Sequence, residues 1–333
     1  MVNIQAIIMT APGLSEDALN ARNLDLDHDS LAQRMEDFRH RMPSNQVPLV
    51  IPVEGDPQAP DEYQVPEIEA ANLTAESLKS SLAEHGALIV RGMFPETVMQ
   101  PMTAAIDGVL DACDSTRKVK ANLVSPYFNP PSNLVSVMPN GIEDLAALRL
   151  FSKIGGSALC VESPSVAELL LQFYEDHGLK DLVAQYLGEP PCLSVKKWVL
   201  RRSELPMDEA GWHQDGAFMG TEINTLNLWI PLTHCGGETG APGMDLIPQR
   251  LNKISSADGA AFDWAVSDDE ARGGSDYAPA VAPEFNVGDA LFFDHFYLHR
   301  TQYRPDINKR RYAIESWFFG TTTFPKDQVP IAW

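Results

Sequence analysis

From Pro190 onward the chain gives up helical periodicity for short β-like runs separated by Gly, Pro and Asp, and this switch constrains the fold most. The runs are Leu193–Arg201, Thr225–Ile230, Met244–Ile247, Ala290–Phe293 and Arg311–Phe319. Several short strands with turn signals between them predict a β-sandwich or jelly roll. The preceding segment reads as helix. Thr74 is placed to cap a helix carrying Leu78 and Leu82 that stops at Gly86, and the strand Ala87-Leu88-Ile89-Val90 follows. Pro95 opens a helix with Val98, Met102, Ile106, Val109, Leu110 and Cys113 on one stripe. Ser163-Pro164 starts another that ends near Gly178, and a shorter one closes at Gly188. Helices first and a barrel second give an α+β layout, mostly β with helices packed on one sheet.

A chain of 333 residues with this pattern fits one large domain over 71–333. Residues 1–70, acidic and Pro-rich, read as an irregular N-terminal arm, with solvated loops at Leu24 to Asp29 and Glu54 to Glu62 around a short helix near Ser30–Arg41. Ser255–Ala282, rich in Asp, Gly and Ala, reads as an insertion between barrel strands and a candidate lid. Substrate-shaping residues are expected in the arm, in this insertion and in Ser125–Asn140, where Tyr127-Phe128 hints at an aromatic pocket wall.

The formal charge of −21, from 46 acidic against 25 basic residues, repels phosphate backbones and anionic lipid, so neither nucleic acid nor membrane is an expected partner. The same field means that an anionic substrate needs a local basic pocket. No apolar run is long enough to span a bilayer, and the N-terminus lacks the basic start of a secretory signal. Cys113, Cys160, Cys192 and Cys235 are widely spaced, with no Cys-x-x-Cys pair, and predict buried thiols in a reducing, cytoplasmic setting.

Within the β region, Gly211-Trp212-His213-Gln214-Asp215-Gly216 contains a His-x-Asp pair. On a strand His213 and Asp215 would share a face, with Gln214 opposite and Trp212 and Gly216 at a pocket rim. Alone, such a pair is common by chance. Far downstream the strand Ala290-Leu291-Phe292-Phe293 leads to two further histidines, His295 and His299, either of which a barrel could bring back to the pair. Two imidazoles and one carboxylate on one face of an octahedron make a non-haem iron triad with open positions. Arg310, eleven positions after His299, offers the two-pronged grip that a dicarboxylate needs, and Arg311 points to the opposite face, so only one can serve.

Taken together, Trp212-His213-Gln214-Asp215, Asn227-Leu228-Trp229-Ile230-Pro231-Leu232, Gly288-Asp289-Ala290-Leu291-Phe292-Phe293 and His299-Arg300-Thr301 followed by Arg310 resemble the phytanoyl-CoA dioxygenase-like branch of the Fe(II)/2-oxoglutarate-dependent oxygenases. Glu84 to Phe94 is similar to that family's opening helix–strand unit, so the resemblance runs over roughly residues 75–320. It implies a double-stranded β-helix (jelly-roll, cupin-like) core, Fe(II) on His213, Asp215 and His299, and 2-oxoglutarate anchored by Arg310 and touched by Trp229 and Thr301. It implies oxidation of a C–H bond of a small organic molecule by O₂, by hydroxylation, desaturation or cyclisation, with succinate and CO₂ released. Asp215 matters here, because related halogenases lack the carboxylate. Two departures stand out: Leu246-Ile247-Pro248-Gln249-Arg250 replaces the family's Pro-Gly-Ser-His stretch, and Arg300 follows the distal histidine where a Gly is common.

The residues leave two rivals open: a jelly-roll metal-dependent dioxygenase or isomerase that uses no 2-oxoglutarate, and a barrel that binds without catalysing. Elsewhere, His234-Cys235 reads as a turn histidine beside a core thiol. Lys196-Lys197 and Arg201-Arg202 read as surface ion pairs, or as the source of one cation facing the pocket.

Overall fold

The computed structural model describes residues 15–41, 64–119, 125–131, 133–134, 156–273, 277–325 and 328–333. Glu54 to Glu62 and most of the stretch after Asn133 in Ser125–Asn140 lie outside them.

In chain order the elements begin with α1 (Glu16–Asn20), α2 (Leu24–Arg41), β1 (Glu67–Glu69), α3 (Ala75–His85), β2 (Ala87–Arg91), α4 (Glu96–Met99) and α5 (Met102–Val119). After β3 (Ser157–Leu159) come α6 (Pro164–Asp176) and α7 (Leu179–Leu187). The β region holds β4 (Pro191–Arg202), β5 (Trp212–His213), α8 (Gly216–Met219), β6 (Thr225–Pro231), β7 (Cys235–Gly236) and β8 (Met244–Leu246). It continues with β9 (Ala265–Val266), α9 (Asp268–Gly273), β10 (Glu284–Phe285), β11 (Ala290–Phe293), β12 (His299–Thr301), β13 (Tyr312–Gly320) and β14 (Pro330–Ala332).

Local chemistry explains many boundaries. The Thr74 hydroxyl accepts from the Ser77 N–H at 3.0 Å to start α3. Gly86 ends it at φ 82°, where a Cβ would also lie 2.9 Å from the Tyr297 ring. The helix expected from Pro95 onward is split into α4 and α5, because Pro101 removes a backbone donor and clashes with the preceding turn. Leu24 to Asp29, expected as loop, forms the first turns of α2. The pattern concealed this because its acidic residues satisfy tertiary partners. Asp27 accepts from Ser165 Oγ at 2.9 Å and pairs with Arg22, while Leu31 and Met35 enter the core. Arg34 clamps α2 to α6 through Glu168 at 2.9 Å.

The large sheet runs β1-β2-β11-β6-β13-β4-β14, with β3 also on β4; a second sheet runs β8-β12-β5-β9, and β10 pairs with β7. From β4 to β13 the chain passes repeatedly between the two larger sheets: β4, then β5; β6, then β8; β11, then β12; then β13. The central pairs β11–β6, β6–β13 and β13–β4 are antiparallel. This is the double-stranded β-helix, with the helices covering one face of the large sheet.

Register sorts the residues of β13. Ile314 and Phe318 belong to the helix-side core with Leu170, Tyr174 and Leu200. Ala313, Trp317 and Phe319 join Trp229, Leu291 and Phe293 between the sheets. Tyr127 and Phe128 pack in the helix-side core and line no pocket wall of the barrel, because Tyr127 fills the space over Gly108 on α5.

Candidate metal and cosubstrate site

His213 ends β5 and His299 starts β12, and these strands pair with the two histidines in register. Their ring centroids are 4.4 Å apart. The barrel thus closes the 86-residue separation in a single antiparallel pair. Asp215 completes the group: one ligand atom from each of His213, Asp215 and His299 lies within 4.8 Å of the others.

Asp215 reaches this position by a route that strand alternation does not describe. β5 ends at His213, and Asp215 has helical dihedrals (φ −63°, ψ −23°) at the start of α8. A turn, not a pleat, aims its carboxylate. Gly216 permits the turn, since a Cβ there would stand 3.0 Å from the His295 carbonyl oxygen that its own N–H reaches at 2.8 Å. Gln214 does point away. Its amide donates to the Lys253 and Phe296 carbonyls at 3.0 and 2.6 Å and accepts from Ser255 N at 2.7 Å, which fixes the hairpin from behind. Trp212 is not at a rim. It is buried on the outer side, under the Arg300 guanidinium 4.8 Å away.

Each imidazole is set for one tautomer. His213 Nδ1 lies 3.0 Å from the Gly211 carbonyl oxygen and His299 Nδ1 lies 2.9 Å from that of Tyr297. A ring N–H donated to a carbonyl leaves Nε2 as a lone-pair donor, the usual arrangement behind a metal-bound histidine. Asp215 Oδ1 accepts from Lys197 Nζ at 2.8 Å, whereas Oδ2 is buried with no partner, 3.9 Å from His299 Nε2. A buried carboxylate oxygen without a donor is costly unless a cation completes it. Burial pushes the Asp215 carboxyl up, but Lys197 and the two imidazoles outweigh it and hold it at about 2. Burial and His213 pull His299 down to about 4, so its imidazole is neutral at physiological pH. These donors fit a divalent iron ion: two imidazole nitrogens and one carboxylate oxygen, a three-donor set that leaves coordination positions for other ligands.

His295, the competing histidine, is not part of the group. Its Nε2 lies 3.3 Å from the Thr221 carbonyl and its ring packs 4.2 Å from Phe296.

The two arginines fall on opposite sides of the strand's start. Arg310 precedes β13, is exposed, and pairs with Glu204 at 3.2 Å. Arg311 is buried, shares the inward face of Ala313 and Trp317, and lies 5.6 Å from the Trp229 ring centre. Its backbone exchanges hydrogen bonds with Ser203, which fixes the register. The guanidinium donates to the Gly243 carbonyl at 3.3 Å, its Nε is buried without a partner, and among the described residues no carboxylate pairs with it. Burial pulls Arg311 down to about 10. The even spacing of residues 311, 313, 315 and 317 was visible in the sequence. The strand is apolar on both faces, however, so parity alone did not tell inside from outside.

The interior holds more polarity than the motifs announced. Of the two basic runs, Lys197 and Arg201 turn inward, to Asp215 and to Glu315 at 2.7 Å. Arg202 turns outward to Asp107. Asn227 is fully buried, with both amide atoms unpartnered, in register with Phe293 and Trp317. Thr301 follows His299 by two residues and is half-buried. Arg300, between them, faces away into a network with Asp245, Glu209 and Asp268, so the departure from the family's Gly leaves the site untouched. His234 is an exposed partner of Glu284.

No curated protein matches the chain. Among solved structures it is similar to the non-heme alpha ketoglutarate dependent carbocyclase SnoK from nogalamycin biosynthesis, at 15% identity and TM-score 0.47, over 76% of this chain and 87% of that one. It is also similar to the epimerase SnoN in complex with Fe3+, alpha ketoglutarate and nogalamycin RO, at 13% identity and TM-score 0.44, over 74% and 83%. A third is AviO1 from Streptomyces viridochromogenes Tue57, at 14% identity and TM-score 0.44, over 76% and 98%. Assignment does not rest on likenesses this distant. The model of the family described as phytanoyl-CoA dioxygenase (PhyH) matches residues 82–303, two thirds of the chain, and spans β5, β12 and all three clustered residues. The chain belongs to the phytanoyl-CoA dioxygenase (PhyH) family and is an Fe(II)/2-oxoglutarate-dependent oxygenase acting on a small molecule.

Proposed function

We propose that His213, Asp215 and His299 are the protein ligands of the Fe(II), and that Arg311, in place of Arg310, anchors the distal carboxylate of 2-oxoglutarate. One observation carries the iron assignment: two imidazoles with Nδ1 tied to carbonyls converge with an unpartnered, buried carboxylate oxygen. The lone buried guanidinium beside Trp229 supports the anchor, because such a charge is tolerated best where an anion is received. Trp229 and Thr301 remain the expected neighbours of the cosubstrate.

When bound, iron with 2-oxoglutarate and O₂ supplies the oxidation of a substrate C–H bond, with loss of CO₂ and formation of succinate. The chain's own residues do the rest. Lys197 holds Asp215 Oδ1 and leaves Oδ2 directed at the metal position. The carbonyls of Gly211 and Tyr297 hold both rings in place. Trp229, Phe285, Phe293 and Trp317 wall the interior with carbon and exclude water from it. The two free carboxylates of the site, Asp215 and Glu315, are each matched to a cation, which leaves Arg311 for the cosubstrate. Four buried free thiols support a reducing, cytoplasmic setting. Among the described residues no helix is long and apolar enough to cross a membrane.

The test is spectroscopic. Adding 2-oxoglutarate to the anaerobic Fe(II) protein should produce a visible charge-transfer band; His299→Ala should abolish it and His295→Ala should keep it. A band that survives in His299→Ala, or vanishes in His295→Ala alone, would refute the ligand assignment.

A further inference from the structure

Large hydrophobic side chains are seldom exposed among the described residues of this strongly anionic chain. Among the described residues Leu26, Phe218 and Phe262 are, and the last two converge on one point beside His213. That point is Trp264. Phe262 stacks on it with centroids 5.0 Å apart and planes 4° from parallel. Phe218 meets it edge-on at 6.1 Å, and so does His213 at 6.0 Å. Phe262 is 59% exposed, so the outer side of the stack is open. The register of β9 against β5, which sets Ala265 opposite His213, holds this wall beside the metal position. Aromatic surface left in water next to a reactive centre is characteristic of a ligand wall, not of a solubility-driven surface.

The wall has a cation at its base. Lys197 Nζ lies 4.3 Å from the centre of the Phe218 ring and 6.0 Å from that of Trp317. Its hydrogen bond is to Asp215 Oδ1, which leaves two ammonium protons for a ligand. With iron and 2-oxoglutarate in place, the two divalent charges cancel. Asp215 and Glu315 against Lys197, Arg201 and Arg311 then leave one net positive charge among these interior residues, and Lys197, paired with Asp215 through one of its three protons, is the cation placed to offer it at the aromatic wall. A buried net charge is unfavourable, and an anionic ligand relieves it.

We propose that the substrate is a flat, apolar ring system bearing one acidic group, its ring against Phe262, Trp264 and Phe218 and its anion on Lys197. This rests on the iron and cosubstrate reading above and gives that site its substrate class. It also answers the −21 formal charge: selectivity for an acid is built locally, against the field of the whole chain.

The test uses the anaerobic protein loaded with Fe(II) and 2-oxoglutarate, titrated calorimetrically with three probes. These are 2-naphthoate, its neutral analogue 2-naphthylmethanol, and cyclohexanecarboxylate, which has the charge without the flat face. We expect 2-naphthoate to bind at least tenfold more tightly than either of the others. Trp264→Ala and Phe262→Ala should each weaken it about tenfold, or about 1.4 kcal/mol. Lys197→Gln, which removes the charge but keeps a donor for Asp215, should reduce 2-naphthoate to the level of the alcohol in samples that retain the charge-transfer band. Equal affinities for the three probes, indifference of 2-naphthoate to all three substitutions, or no binding at millimolar concentration would each overturn the proposal. The charge-transfer band, recorded on the same samples, separates the two readings. A wild-type protein without the band defeats the iron and cosubstrate assignment. A protein that shows the band yet ignores ring and charge defeats only the substrate class.

Discussion

The two faces of β13 are one strand put to two uses. On the helix side Phe318 stacks on Trp333 at 5.2 Å and meets Tyr174 edge-on at 6.2 Å, while Ser316 Oγ bonds the Tyr174 hydroxyl at 2.9 Å. That face is closed mainly with carbon, and among the described residues it buries no unpartnered charged group of β13. One residue over, the inward face carries Glu315 and Trp317, continues the line of Arg311, and faces Lys197, Arg201 and Asp215. Three charged or amide groups there, Asp215, Arg311 and Asn227, hold buried atoms with no partner. Folding alone gives no reason to keep them, because buried polar atoms without partners oppose it. The contrast teaches that the helix side supplies stability and the interior is kept polar for its ligands.

The largest expected effect tests the first half of that contrast. Phe318→Ala should destabilise the protein by about 3–5 kcal/mol in denaturant unfolding, while 2-oxoglutarate affinity of the folded protein changes less than twofold. Coupled loss of both would mean that the two faces are not separable. Next, Arg311→Met should raise the 2-oxoglutarate dissociation constant by about a hundredfold, yet leave the stability of the metal-free protein unchanged or about 1 kcal/mol higher. A fall of several kcal/mol would make the guanidinium structural and break the comparison.

A smaller effect concerns acid. His299 sits at about 4 in the fold and near 6.5 when unfolded. Between those values the unfolded chain binds a proton that the folded chain does not, so stability is full above pH 6.5 and is lost as pH falls toward 4. Unfolding of the metal-free protein followed across this window should show that slope, flattened in His299→Asn and retained in Phe318→Ala. An identical slope in His299→Asn would remove the interior histidine from the account. The smallest effect is Arg310→Met, whose exposed pair with Glu204 should matter less than twofold for 2-oxoglutarate binding.

Local rules carried the helical half of the chain well. Thr74, Gly86, Pro164 and Gly188 bound helices where their side-chain and backbone chemistry says they should. They failed where distant partners decide. Leu24 to Asp29 looks solvated until Ser165 and Glu168 are brought beside α2. Trp212 looks like a rim residue until Arg300 arrives from β12 to cover it. Asp215 looks like a strand residue, but Gly216 turns the chain one residue earlier than alternation assumes.

The sequence by itself supplied the pieces of the chemistry: a His-x-Asp pair, a second histidine far downstream, a nearby arginine and a series of short strands, which together with the family resemblance pointed to an iron- and 2-oxoglutarate-dependent oxidation. It also determined that one of two adjacent arginines would face inward, because alternation forces that. The tertiary structure decided which one. It also decided that His299 and not His295 meets His213, and that Lys197 and the Phe262–Trp264–Phe218 wall stand beside the metal position. The physical reason is shared. Side-chain type is local information, whereas facing depends on the register between strands, and β5, β12 and β13 acquire theirs only when the two sheets close on each other.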